Sequence, residues 1–120
     1  MGNPVVHFEI GCRDASETAA FYERCFGWAT ADYGPSGKSI ATGADTGIQG
    51  HITALGHEPH NYVMVYIEVP DVAAAAETVV ANGGTLLIGP LAIPNDGRTF
   101  AWIGDPAGNT IGLIEPASAA

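Results

Sequence analysis

The sequence predicts an α+β fold made of two tandem βαβββ modules. Two alternating runs of apolar and polar residues, at residues 5–10 and 62–67, each lead to an aspartate and then to a helix-like segment. The landmarks recur at one fixed offset, as from Asp14 to Asp71. A self-match at a fixed offset indicates one supersecondary unit that occurs twice. Because two copies are too few for a solenoid, we expect a single domain over residues 1–120 in which each copy covers the other's apolar face.

The first module is predicted to cover about residues 4–55. Its opening strand, at residues 5–12, alternates between a face that packs on the helix and an opposite face. Phe8 lies on the helix face, whereas His7 and Glu9 lie on the opposite face. This alternation predicts that Phe8 belongs to the core and that His7 faces a cavity.

The rest of the first module is a helix and three short strands. Asp14 follows the opening strand and is typical of a helix N-cap, so we expect a helix that runs to about residue 25. The last of the three strands, at residues 47–55, places Gln49 and His51 on one face. We expect this face to be the one shared with His7.

The second module is predicted to cover about residues 62–116, after a linker at residues 56–61. Its first strand, at residues 62–69, places Met64 and Tyr66 on the face opposite its helix. The other predicted elements are a helix that ends near residue 81, strands at residues 85–88, 98–104 and 110–115, a turn at residues 95–97 and a disordered tail at residues 116–120. Two such modules give an eight-stranded mixed sheet curled around a cavity, with two helices outside.

Composition excludes several classes of partner. The chain carries 13 acidic and 4 basic residues, a formal net charge of −9, which repels nucleic acid and anionic membrane alike. No apolar run approaches the roughly 20 residues that span a bilayer. We therefore expect a soluble, cytoplasmic protein with no nucleic-acid or membrane partner. The same charge would attract a cationic small molecule.

Three phrases of the sequence carry a family resemblance. The phrases "VVHFEI…FYERCFGW", "YIEVPDV…ANGG" and "DPAGNTIGLIEP" resemble the vicinal oxygen chelate superfamily, which includes glyoxalase I, the extradiol dioxygenases and the fosfomycin- and bleomycin-resistance proteins. The resemblance covers about residues 5–116. It implies two half-barrels that enclose a ligand cavity, in which the family's enzymes often hold a divalent metal.

The resemblance implies four metal-ligand positions, from the first and last strands of each module. Residue by residue, these positions hold His7, Gln49, Met64 and Gly112. Only the imidazole is a strong ligand, because the amide is weak, the thioether suits soft metals and glycine has no side chain. A catalytic zinc site normally needs three protein ligands. We therefore expect neither a metal nor another cofactor.

The resemblance and the strand alternation together predict a small-ligand site. Its expected binding residues are His7, Gln49, His51, Met64, Tyr66 and Trp102. Within this set His7 is the candidate general base. Glu9 and Glu68 are expected at the rim of the cavity, where solvation is their simplest role.

The leading functional hypothesis is a metal-free member of this superfamily that binds a small organic ligand, as a homodimer that covers exposed strand edges. One alternative is an enzyme, a glyoxalase-type lyase or isomerase with His7 as base. Another is an antibiotic-sequestering protein that resembles the bleomycin-resistance proteins and attracts a basic drug through its negative charge. The sequence leaves open whether the protein is an enzyme.

Overall fold

The computed structural model describes residues 2–93 and 96–117, and it confirms the predicted α+β class, with eight strands in a mixed sheet and two helices. The elements in chain order are β1 (Val5–Gly11), α1 (Ala15–Phe26), β2 (Ala29–Tyr33), β3 (Gly37–Ala41), β4 (Gln49–Thr53), β5 (Tyr62–Glu68), α2 (Val72–Ala81), β6 (Thr85–Ala92), β7 (Thr99–Gly104) and β8 (Thr110–Ile114). Most predicted boundaries agree closely, although β6 runs on to Ala92. The predicted turn and tail fall partly outside the described residues, at Asn95 and residues 118–120.

Both helices begin directly after the predicted aspartates, which are their N-cap residues. The Asp14 carboxylate accepts from the backbone N–H of Glu17 at 3.0 Å, and the Asp71 carboxylate accepts from the backbone N–H of Ala74 at 3.1 Å. Each bond satisfies an N–H group that has no partner within its helix. At the other end of α1, Gly27 has a left-handed conformation with φ of 70°, which glycine adopts without a steric penalty. Short-range sequence signals therefore fix where each helix lies.

One compact unit spans His7–Met64. Its strands follow the order β2-β3-β4-β1, in which β1 and β4 are parallel and the other neighbours are antiparallel. Helix α1 packs on this sheet over a core of four buried residues, Cys12, Ala19, Ile40 and Ile52. Phe8 packs against this core, as the alternation predicts, so the opposite face of β1 carries His7 and Glu9.

The other compact unit comprises the residues up to Val6 together with those from Val65 on. Its strands follow the order β5-β8-β7-β6, with β5 and β8 parallel and the other neighbours antiparallel. Helix α2 covers a core of buried residues, Val69, Val72, Ala101, Ile103 and Leu113. The predicted module boundaries and the predicted cavity between the modules stay predictions.

Within the described residues, neither helix is long and apolar enough to cross a bilayer.

Ile52 is the residue through which the core of the first unit is best tested, because its side chain is 0% exposed. We expect Ile52→Ala to lower the free energy of unfolding by about 3–4 kcal/mol, since it removes buried methylene groups and leaves a cavity. Val63→Ala is the matched control, because Val63 also lies on a strand but is 73% exposed. Denaturant unfolding measures both changes, and equal losses would contradict the described core.

Candidate functional site

A buried carboxylate lies at the centre of the candidate site. Glu9 is on β1, on the face opposite α1, and only 2% of its surface is exposed. The Tyr62 hydroxyl donates a hydrogen bond to Oε2 of Glu9, and Nε2 of His51 lies 3.2 Å from Oε1. The expectation that Glu9 lies at a solvated rim is therefore wrong. A charge removed from water in this way needs such partners.

His51 extends this arrangement to His7. Its other ring nitrogen, Nδ1, lies 2.7 Å from Nε2 of His7, and the two rings stack with their centroids 4.9 Å apart. The pairing of β1 with β4 explains the geometry, because Glu9 is opposite His51 and His7 is opposite Gln49 in the parallel register. Close polar contacts therefore run in one chain from Tyr62 through Glu9 and His51 to His7.

The carboxylate determines the tautomer of each imidazole in this chain. An ionised carboxylate only accepts hydrogen bonds, so when Glu9 is ionised the nitrogen that faces it, Nε2 of His51, is the one that carries a hydrogen. A neutral imidazole has one N–H group, and Nδ1 of His51 is then an acceptor for Nε2–H of His7. Nδ1 of His7 is consequently the unprotonated nitrogen. In this tautomer the lone pair of His7 is on Nδ1.

Tyr62 stays a hydrogen-bond donor throughout the physiological pH range. Burial raises the pKa of the Tyr62 hydroxyl well above its ordinary value of 10.0, and the hydrogen bond to Glu9 and the charge on Glu9 raise it further. Each of these causes disfavours the phenolate. The Glu9 carboxylate therefore keeps an O–H donor at any pH at which the protein works.

The other unit contains a neutral counterpart, the pair Tyr66 and Trp102. The indole Nε1–H of Trp102 donates to the Tyr66 hydroxyl at 2.9 Å. Tyr66 is opposite Gly112 in the register of β5 with β8, and a Cβ atom at Gly112 would overlap the Tyr66 ring. The ring thus fills the space that a side chain at residue 112 would need.

The predicted site residues belong to both compact units. His7 and His51 lie together with Glu9, whereas Tyr66 and Trp102 lie together in the other unit. Met64 is buried. Gln49 is exposed and is bonded to Thr42, whose backbone N–H donates to the Gln49 side chain at 2.7 Å. Sequence reasoning missed the roles of Glu9 and Tyr62, although Glu9 was already assigned to the same face as His7.

The four family positions do not fit a divalent metal. Nε2 of His7 is hydrogen-bonded to His51, the Gln49 side chain is bonded to Thr42, and the space beside Gly112 is filled by an aromatic ring. Within residues 2–93 and 96–117, no group of three acidic, histidine or cysteine residues has the arrangement of a metal site. A metal held at about 2.0–2.2 Å by Nε2 of His7 and by Gln49 would require both side chains to leave their present partners, and Gly112 supplies no ligand.

Comparison with known proteins places the chain in a family. A family model described as the Glyoxalase/Bleomycin resistance protein/Dioxygenase superfamily matches residues 5–113, and the chain belongs to this superfamily. No curated protein is similar enough to count as a match.

Three solved structures illustrate the shared fold. A methylmalonyl-CoA epimerase from Mycobacterium tuberculosis is similar with 16% identity and a TM-score of 0.70, over 95% of this chain and 88% of that one. A Streptomyces coelicolor methylmalonyl-CoA epimerase in complex with 2-nitronate-propionyl-CoA is similar with 16% identity and a TM-score of 0.69, over 97% and 99%. A hypothetical protein from Bacillus halodurans C-125 is similar with 15% identity and a TM-score of 0.72, over 100% and 99%. At these identities the likeness concerns the fold.

The donor set predicts that the purified protein retains no stoichiometric Zn²⁺, Ni²⁺, Fe²⁺ or Mn²⁺ after mild chelation, because one strong ligand is too few to hold such an ion against water. Elemental analysis measures this directly. His7→Ala is the informative variant and His57→Ala, at an exposed loop residue, is its control. An ion near one per chain that is lost only in His7→Ala would contradict the prediction.

Proposed function

We propose that the protein binds a small organic carbonyl compound beside His7 and removes a proton from the carbon next to the carbonyl group, without a metal. The observation that carries this proposal is the chain from the buried Glu9 through His51 to His7. A histidine that is oriented by a second group and backed by a carboxylate is the usual construction of a general base. Isomerisation or epimerisation is the reaction class that follows.

The proposed proton transfer moves along the chain. The C–H bond of the ligand breaks, its electron pair moves toward the carbonyl oxygen, and the proton binds to Nδ1 of His7. The Nε2 proton of His7 then passes to Nδ1 of His51, 2.7 Å away. The positive charge comes to rest on His51 beside the Glu9 carboxylate, where opposite charges attract in a buried setting. The reverse sequence returns a proton to the carbon and so exchanges that proton, and a proton that arrives on the opposite face of the carbon completes an epimerisation.

Two further points support this reaction class. The superfamily to which the chain belongs includes enzymes, and two of the similar solved structures are epimerases by name. Their identity to this chain is too low to transfer a substrate. Methylmalonyl-CoA and the thiol adducts of 2-oxoaldehydes are therefore test compounds, chosen because each carries a proton next to a carbonyl group.

Binding without turnover is the alternative function. A cationic antibiotic would be attracted by the formal charge of −9, and the exposed aromatic side chains on and beside α1 offer surfaces for stacking. A cytoplasmic location and the absence of nucleic-acid and membrane partners stay proposals that rest on the same charge. Tryptophan fluorescence with such a drug at low salt distinguishes this alternative, since attraction is strongest there.

Proton exchange into deuterated water tests the proposal. We expect the wild-type protein to exchange the proton next to the carbonyl of at least one test compound, followed by mass spectrometry, and His7→Ala to slow this exchange by roughly 10²–10⁴-fold. His57→Ala is the matched control, because it removes an exposed loop histidine. Equal rates in the wild type and His7→Ala, or no exchange of any carbonyl compound, would refute the proposal.

We also propose that the protein is a homodimer in which β6 is covered by the partner. This strand is at one end of the strand order, and four of its apolar side chains are exposed: Leu86, Leu87, Ile88 and Leu91. Uncovered strand edges of this kind favour association. We expect light scattering to give a dimer mass for the wild type and a monomer mass for the double variant Leu87→Glu, Leu91→Glu. Ala31→Glu, at an exposed position of β2, should stay dimeric.

A further inference from the structure

The aromatic ring of Tyr62 lies directly against a glycine residue. The Tyr62 ring packs over Gly11, the last residue of β1, and a Cβ atom at Gly11 would overlap both the ring and, at 2.7 Å, the carbonyl oxygen of His60. Gly11 has no left-handed backbone conformation, so its role is to leave room. The absence of a side chain at residue 11 is what allows the Tyr62 hydroxyl to reach Glu9.

The Tyr62 hydroxyl determines which carboxylate oxygen faces His51. It donates to Oε2 of Glu9, and Oε1 is the atom that lies 3.2 Å from Nε2 of His51. The terminal torsion of a glutamate is broad, so the packing of the aliphatic stem does not fix the orientation of the carboxylate. A donor that holds Oε2 of Glu9 in place therefore also fixes the position of Oε1. The contact of His51 with Glu9 therefore depends on the Tyr62 hydroxyl, which acts through the carboxylate.

We propose that Tyr62, seated over Gly11, is a positioning residue of the proton-transfer chain, which holds the Glu9 carboxylate so that His51 and His7 each keep a single tautomer. This inference rests on the proposed role of the chain in proton transfer. It goes beyond that role because it assigns a function to Tyr62, to which the proposed proton transfer gives no step.

The other unit supplies a matched control. Tyr66 also lies over a strand glycine, Gly112, and its hydroxyl is also hydrogen-bonded, to Trp102. Tyr62→Phe and Tyr66→Phe therefore remove the same atom from similar surroundings. Tyr62→Phe removes the hydroxyl that donates to the Glu9 carboxylate, whereas Tyr66→Phe removes the hydroxyl that accepts from Trp102. A purely structural hydroxyl would give the same result in both variants.

The test is ¹⁵N NMR of histidine-labelled protein at about pH 8, above the ordinary histidine pKa of about 6.5, so that neutral rings are observed. The 4 histidines are assigned by single substitutions to alanine. In the wild type we expect His7 and His51 each to show one tautomer, with Nε2 protonated. In Tyr62→Phe we expect a mixture of tautomers at both rings, whereas Tyr66→Phe should keep the wild-type spectrum.

Gly11→Ala is a second way to remove the Tyr62 hydroxyl from Glu9, since a methyl group at residue 11 displaces the Tyr62 ring. Gly104→Ala is its control, because a Cβ atom there meets nothing closer than 3.8 Å. We expect mixed tautomers in Gly11→Ala and single tautomers in Gly104→Ala. Thermal melts accompany both spectra, and the tautomers are compared only in variants that melt cooperatively.

Single tautomers retained in Tyr62→Phe, or an equal change in Tyr66→Phe, would overturn the inference. The NMR result needs no substrate, so it is separable from failure of the proposed reaction. If the wild type exchanges a test compound, Tyr62→Phe should slow that exchange by roughly 10-fold, the equivalent of about one hydrogen bond. An exchange rate unchanged in Tyr62→Phe would also overturn it.

Discussion

The burial of one carboxylate explains most of the chemistry in this structure. Glu9 is 2% exposed, and a charged group taken out of water at such a position costs several kcal/mol unless it is paired and hydrogen-bonded. The hydroxyl of Tyr62 and the imidazole of His51 meet that requirement. When Nε2 of His51 donates to Glu9, Nδ1 of His51 is left as the acceptor for Nε2–H of His7. The state of His7 is thus a consequence of where Glu9 lies.

The sequence predicts the fold well because the fold depends on local signals. Alternation along residues 5–10 separates Phe8 from His7, and the aspartates that cap the two helices act over three residues. The repeat then implies that the strands and the helix predicted for one module recur in the other. Each of these signals is complete within about ten residues, so no knowledge of distant contacts is required.

The site is less predictable, for a physical reason. Alternation correctly assigned His7, Glu9 and His51 to one face, but solvation of Glu9 was the simplest expectation for a carboxylate on a strand. That expectation is wrong because Tyr62 donates a hydrogen bond to Glu9. Tyr62 is 53 positions away in the chain and reaches Glu9 only because residue 11 has no side chain. The sequence did contain a signal for the site, because Glu9, His7 and His51 are all expected on one face of the sheet.

The two glycines beneath tyrosine rings indicate how the family's architecture accommodates a site without metal ligands. The resemblance to the superfamily implies a metal-ligand position at Gly112. Here the Tyr66 ring occupies that space and its hydroxyl is satisfied by Trp102. In the first unit the one intact ligand, His7, is instead hydrogen-bonded to a second histidine and, through it, to a carboxylate. Under the proposed function the lone pair on Nδ1 of His7 takes up a proton, because Nε2 is already bonded to His51.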